Sequence, residues 1–137
     1  MTTTANDSGV PRGRALLRDP RWNKGTGFTA AERAALGLAG LLPAGVLTLD
    51  DQVRRAYEQY QAQPTDLARN EFLAALHDRN EVLYYKLLET HLKEMLPVVY
   101  DPVVAQAIER YSNEYQRPDG VYLSVDDIDG VETALRN

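Results

Sequence analysis

Cysteine is absent from this 137-residue chain, so it forms no disulfide, no thiolate nucleophile and no cysteine-bound metal centre. Histidine is scarce. His77 and His91, without cysteine, make no zinc site by spacing, and both read as partly exposed helix residues. No apolar run approaches the roughly 18 residues needed to span a bilayer. The opening MTTTANDSG lacks an apolar core and predicts no secretory signal, which together with the missing cysteines points to the cytoplasm. Charge of one sign is not in excess either: 15 basic and 20 acidic residues are interspersed, for a net charge of −5. That balance argues against nucleic acid or an anionic membrane as the main partner. Nucleotide and nucleophile-elbow motifs are missing as well. Gly25-Thr26-Gly27 follows no strand, and Lys24 stands on the wrong side for a phosphate loop, so the segment reads as a turn before a helix. The acidic run Asp126 to Gly130 has its glycine out of register for a calcium loop and reads as a solvated helix start.

What is there belongs to a globular protein, 44% hydrophobic and 26% charged. Residues 1–13 carry no apolar spacing and predict a disordered leader; residues 14–137 read as one domain. Leu16, Leu17 and Trp22 are candidate anchors in an irregular stretch. Thr29-Ala30-Ala31-Glu32 has the spacing of a capping box, with Phe28 as a staple and Gly37 as the C-terminal cap of a short helix. The connector LAGLLPAGVL is broken by Gly and Pro yet rich in leucine, and is expected to pack. Leu49, Val53, Tyr57 and Tyr60 form the stripe of a helix that begins near Thr48 and ends before Pro64. Thr65 caps the next, whose apolar set is Leu67, Phe72, Leu73 and Leu76. After Arg117-Pro118-Asp119-Gly120, a strong turn signal, Val121–Val125 alternates like a β-strand. The fold class predicted is therefore mainly α, with one C-terminal strand. A lone strand has unpaired ladder groups, so this one is expected to join a sheet that the chain does not contain.

The stretch from Asp78 to Pro102 organises the rest. A polar cluster, Asp78-Arg79-Asn80-Glu81, opens a helix with Leu83, Leu87 and Leu88 on one side and Val82 and Tyr85 flanking. The spacing predicts a stop at Pro97. Asp101-Pro102 then reads as the start of a further helix carrying Val103, Val104, Ala107, Ile108 and Tyr111, with the Asp101 carboxylate as cap. Tyr100 is thus placed beside a helix N-terminus, where partial positive charge can stabilise an anion or phenolate. Spacing alone favours the plainer reading, a core tyrosine with its hydroxyl bonded to backbone.

Four blocks, RDPRWNKGTGFTAAER, LGLAGLLPAGV, DRNEVLYYKLLETHLKEMLPVVYDP and RPDGVYLSV, together resemble the N-terminal region of malic enzymes, most of all the bacterial branch. The resemblance runs from about Arg14 to the C-terminus. It implies oxidative decarboxylation of malate to pyruvate and CO2, with NAD or NADP and a Mg or Mn ion in the full-length family. Tyr100 would be the general acid that protonates the enolpyruvate carbon. Arg55 and Arg79 match arginines that bind the activator fumarate at a dimer interface in some animal relatives, while Leu47 occupies the accompanying carboxylate position; surface or interface ion pairs are the alternative reading of both arginines. Asp101 and Val103 stand where threonines are frequent and Ala105 in place of a glycine; the phenol remains. The family's catalytic lysine, metal carboxylates and dinucleotide fold match nothing in this chain, so alone it is expected to bind neither cofactor nor metal and to be inactive. The partners implied are a second copy, through the helices, and a separately encoded C-terminal portion. A malolactic type of the same architecture, and a non-catalytic helical dimerisation module, are the alternatives.

Overall fold

The computed structural model describes residues 9–115 and 120–136. Among the described residues seven helices follow in order: α1 Gly13–Arg18, α2 Ala30–Ala35, α3 Leu49–Gln61, α4 Asp66–Arg79, α5 Glu81–Val99, α6 Val103–Glu114 and α7 Val131–Arg136, with a 3-10 turn at Gly25–Gly27 before α2. Of the predicted leader, residues 1–8 lie outside the described residues. Val10 packs beside Leu16, and the Gly13 N–H donates to the Leu36 carbonyl at 2.8 Å.

Local chemistry sets the helix starts. The Thr29 hydroxyl accepts from the Glu32 N–H while the Glu32 carboxylate accepts from the Thr29 N–H, the reciprocal capping expected of that spacing. Lys24 sits 2.6 Å from Glu32, and this contact, ahead of the Thr29 N–H, holds the Glu32 carboxyl below its ordinary pKa. Thr48 and Thr65 cap α3 and α4 through Asp51 N–H and Ala68 N–H. Gly37 closes α2 at φ +70°, a backbone region that only glycine adopts freely.

Helices α3, α4 and α5 pack around one core: Val53, Ala56 and Tyr60 meet Leu73, Leu76, Leu83, Leu87, Met95 and Val98. A smaller cluster of Leu16, Phe28 and Leu38 anchors the N-terminal segment. Trp22, expected as an anchor, is 45% exposed; Leu16, fully buried one turn inside α1, does that work instead. The leucine-rich connector packs as expected, and it is held by a device that spacing alone did not reveal. Arg33 donates to the carbonyls of Phe28, Pro43, Gly45 and Thr26 at 2.6–3.2 Å, supplying donors to a loop that has no ladder of its own.

Three expectations are corrected. Helix α5 does not stop at Pro97 but runs to Val99, because the proline ring lies on the exposed face while Val98 beyond it is buried in the core. Its one irregularity is upstream, at His91, where φ −125° and ψ 29° leave the helical region. Asp101 does not cap α6: no side chain caps that helix, and the Tyr100 carbonyl accepts from the Val104 N–H at 2.7 Å instead. Val121–Val125 forms no strand. Residues 121–124 carry no regular structure, Val121 to Leu123 are more than half exposed, and no strand exists among the described residues to complete a ladder. Of the preceding turn signal, Arg117, Pro118 and Asp119 lie outside the described residues.

Candidate functional site

Tyr100 sits at the junction of α5 and α6. Its N–H donates to the Leu96 carbonyl at 3.0 Å and its own carbonyl receives the first N–H bond of α6, so the backbone is fixed from both sides. The ring is not a core ring: it is 67% exposed. Among the described residues no hydrogen bond engages the hydroxyl. The phenol is therefore held by its backbone and presented outward, next to the first turn of α6.

Arg55 and Arg79, distant in sequence, are brought together. Both line one cleft of about 180 Å³ where α3, the end of α4 and the turn at Gly25 meet, together with Asn23, Gln52, Gln59 and Asn80. Asn23 builds this wall. Its amide donates to the carbonyls of Leu17 and Arg79, and its oxygen accepts from the Gly25 N–H. Asn80 ends α4 and begins α5, its side-chain oxygen accepting from the Leu83 N–H at 3.0 Å. Gly25, at φ +54°, and Gly27 are required by closeness: a Cβ on Gly27 would stand 2.8 Å from the Gln52 amide. The lining holds two guanidinium groups, several amide side chains and no carboxylate. Such a lining fits a small anion, for which bidentate guanidinium contacts give both charge and geometry. Leu47 donates its N–H to the carbonyl of Thr26, one of the residues that line this cleft.

The structure does not bring Tyr100 to the arginine cleft: the two lie at opposite ends of the nineteen-residue α5. The histidines lie apart too. His77 packs edge-on against Tyr84 and Tyr85, and His91 stacks on Tyr57 at 3.7 Å between ring centres. The Tyr57 hydroxyl donates to Glu94 at 2.7 Å, which raises its pKa. Among the described residues no three His, Asp or Glu side chains come together as metal ligands. Sequence reasoning missed Asn23, Asn80 and Gln52, which shape the cleft. The signal for Asn80 was available, since asparagine directly before an apolar-periodic run is a favoured cap.

Residues 77–137 match the family described as malic enzyme, N-terminal domain. The NAD-dependent malic enzyme 3 of Bacillus subtilis is 59% identical over 91% of this chain and 22% of its own length. Over nearly all of its length the chain is similar to the N-terminal part of malic enzymes. The NAD-dependent malic enzyme of Aeromonas salmonicida is 45% identical over 91% of the chain and 22% of its own length. The malolactic enzyme of Leuconostoc mesenteroides is 45% identical over all of the chain and 24% of its own length. The chain thus spans about a quarter of the curated malic enzymes that it matches, and within it Tyr100 and the arginine cleft both fall inside the helical body.

Proposed function

We propose that this chain supplies the N-terminal portion of an NAD-linked malic enzyme, with Tyr100 as the general acid. The observation that carries the reading is the presentation of Tyr100: an outward phenol with its backbone held from both sides, in a sequence 59% identical to an NAD-dependent malic enzyme. A phenol so placed can deliver a proton to a developing carbanion on a partner surface, with the first turn of α6 favouring the phenolate left behind. NAD supplies the hydride acceptor and a divalent ion the Lewis acid in this chemistry. The described residues contain no group of three ligands that fits such an ion and no strand–glycine turn–helix that fits a dinucleotide, so no step through either is assigned to this chain. Among the described residues no helix is long and apolar enough to cross a membrane.

The test is complementation. The chain, joined to or mixed with the downstream three quarters of a curated malic enzyme, should restore malate-dependent NAD reduction with Mn2+ present, while either part alone stays at the blank. Lactate in place of pyruvate would assign the malolactic type. Folded, mixed parts that turn over neither way would leave the dimerisation module as the better reading.

The lining of the arginine cleft favours a second role, binding of a small dicarboxylate between Arg55 and Arg79. A ligand that binds only the folded state stabilises it by RT ln(1 + [L]/Kd), about 2.7 kcal/mol at a hundredfold excess over Kd. Fumarate should therefore raise the melting temperature of the chain but not of Arg55→Gln or Arg79→Gln. An equal shift in all three, or none in the parent, would leave both arginines as surface or interface ion-pair residues.

A further inference from the structure

Helix α5 must end at a defined place for Tyr100 to be presented, and its sequence works against that end. In a helix the carbonyl of residue 98 accepts the N–H of residue 102. Residue 102 is Pro102, which has no N–H, and α5 ends at Val99, so the Val98 carbonyl is one of the terminal carbonyls that the helix itself leaves without a donor. Val98 is 4% exposed, so water does not readily replace the missing donor. The donor comes instead from another helix: the Asn70 side-chain amide on α4 reaches the Val98 carbonyl at 2.8 Å. Pro97 removes a second N–H from the same stretch, and the break at His91 separates it from the regular first half of α5. The last turn of α5 is therefore held by few bonds of its own, and Asn70 ties its Val98 carbonyl to α4 two residues before Tyr100.

We propose that Asn70 is a positioning residue for Tyr100, acting through the Val98 carbonyl; this rests on the reading of Tyr100 as the proton donor. An amide is the side chain suited to the task. It donates to a carbonyl without bringing charge into a half-buried site, and from the second turn of α4 it spans the gap between the two helices. A carboxylate of the same shape could only accept, and would set two acceptors against each other.

The experiment compares Asn70→Asp, Asn70→Ala and Asn70→Gln with Tyr100→Phe. On the chain by itself, Asn70→Asp and Asn70→Ala should speed hydrogen exchange of the Tyr100 amide about tenfold or more. The amides of Leu83 to Leu87 in the same helix should stay as in the parent, and Asn70→Gln should recover part of the protection. In the complemented enzyme, Asn70→Asp should lower kcat by about 10- to 100-fold with KM for malate unchanged, the pattern of a misplaced reacting group. Unchanged exchange at Tyr100, or exchange raised evenly along α5, would overturn the proposal. So would unchanged kcat in Asn70→Asp while Tyr100→Phe is crippled, which leaves the proton-donor reading standing. If Tyr100→Phe itself keeps full turnover, that reading falls and this inference with it.

Discussion

Tyr100→Phe should lower turnover of the complemented enzyme by about 10²- to 10⁴-fold, the usual loss on removing a positioned general acid. At about 1.4 kcal/mol per factor of ten, that is roughly 3–5 kcal/mol of transition-state stabilisation carried by one hydroxyl. The fold should not register the change. The ring is two-thirds exposed, and the deleted oxygen has no hydrogen bond among the described residues, so no buried partner is orphaned. Malate binding should also survive, because the proton is needed only after decarboxylation, when the enolpyruvate carbon carries the developing charge. The loss should therefore fall on kcat and leave KM nearly as it was. A melting temperature lowered by several degrees with kcat intact would make Tyr100 a structural residue.

How much of this was legible in the sequence divides along physical lines. Helix starts are local: a threonine hydroxyl and a backbone N–H two or three residues on suffice, so Thr29, Thr48 and Thr65 announced α2, α3 and α4. The core face of α5 was legible from spacing as well, since Leu83 and Leu87 are among its most buried residues. Where the sequence misled, the deciding interaction was non-local. Pro97 is a stop signal in isolation, but the burial of Val98 and the donor from Asn70 carry the helix past it. Asp101 has the chemistry of a cap, yet the chain turns so that a main-chain carbonyl takes that place. Val121–Val125 has the composition of a strand, but composition supplies no ladder partner. The site divides in the same way. Tyr100 could be singled out from one stretch of chain. Arg55 and Arg79 share a cleft with Asn23, whose bond to the Arg79 carbonyl bridges an interval of 56 residues that no local pattern reports.

Two leucines five residues apart on α5 should answer oppositely to substitution. Leu87 is fully buried in the core cluster that also holds Val53, Tyr60, Leu76 and Met95, and its γ-branched side chain leaves a cavity when cut back. Leu87→Ala should cost about 2–5 kcal/mol, the range of large-to-small changes in close-packed cores. For a chain of this length each kcal/mol moves the melting temperature by about 3–4 °C, so a drop of roughly 6–20 °C is expected. Leu92 is half exposed and belongs to an outward row, Val82, Tyr85, Glu89, Leu92 and Leu96, spaced alternately three and four residues apart. The break at His91 divides this row, so self-association is proposed to use its exposed apolar side chains as a seam and not as one continuous heptad face. Leu92→Asp should change the melting temperature of the monomer by no more than about 0.5 kcal/mol in equivalent stability. It should instead lower the mass seen by light scattering, because an aspartate in the seam carries charge into an apolar contact. A parent chain that stays monomeric at its solubility limit would remove the seam from consideration. A Leu87→Ala protein that melts with the parent would mean that α5 is not packed on α3 and α4 in solution, and the placement of Tyr100 would lose its foundation with it.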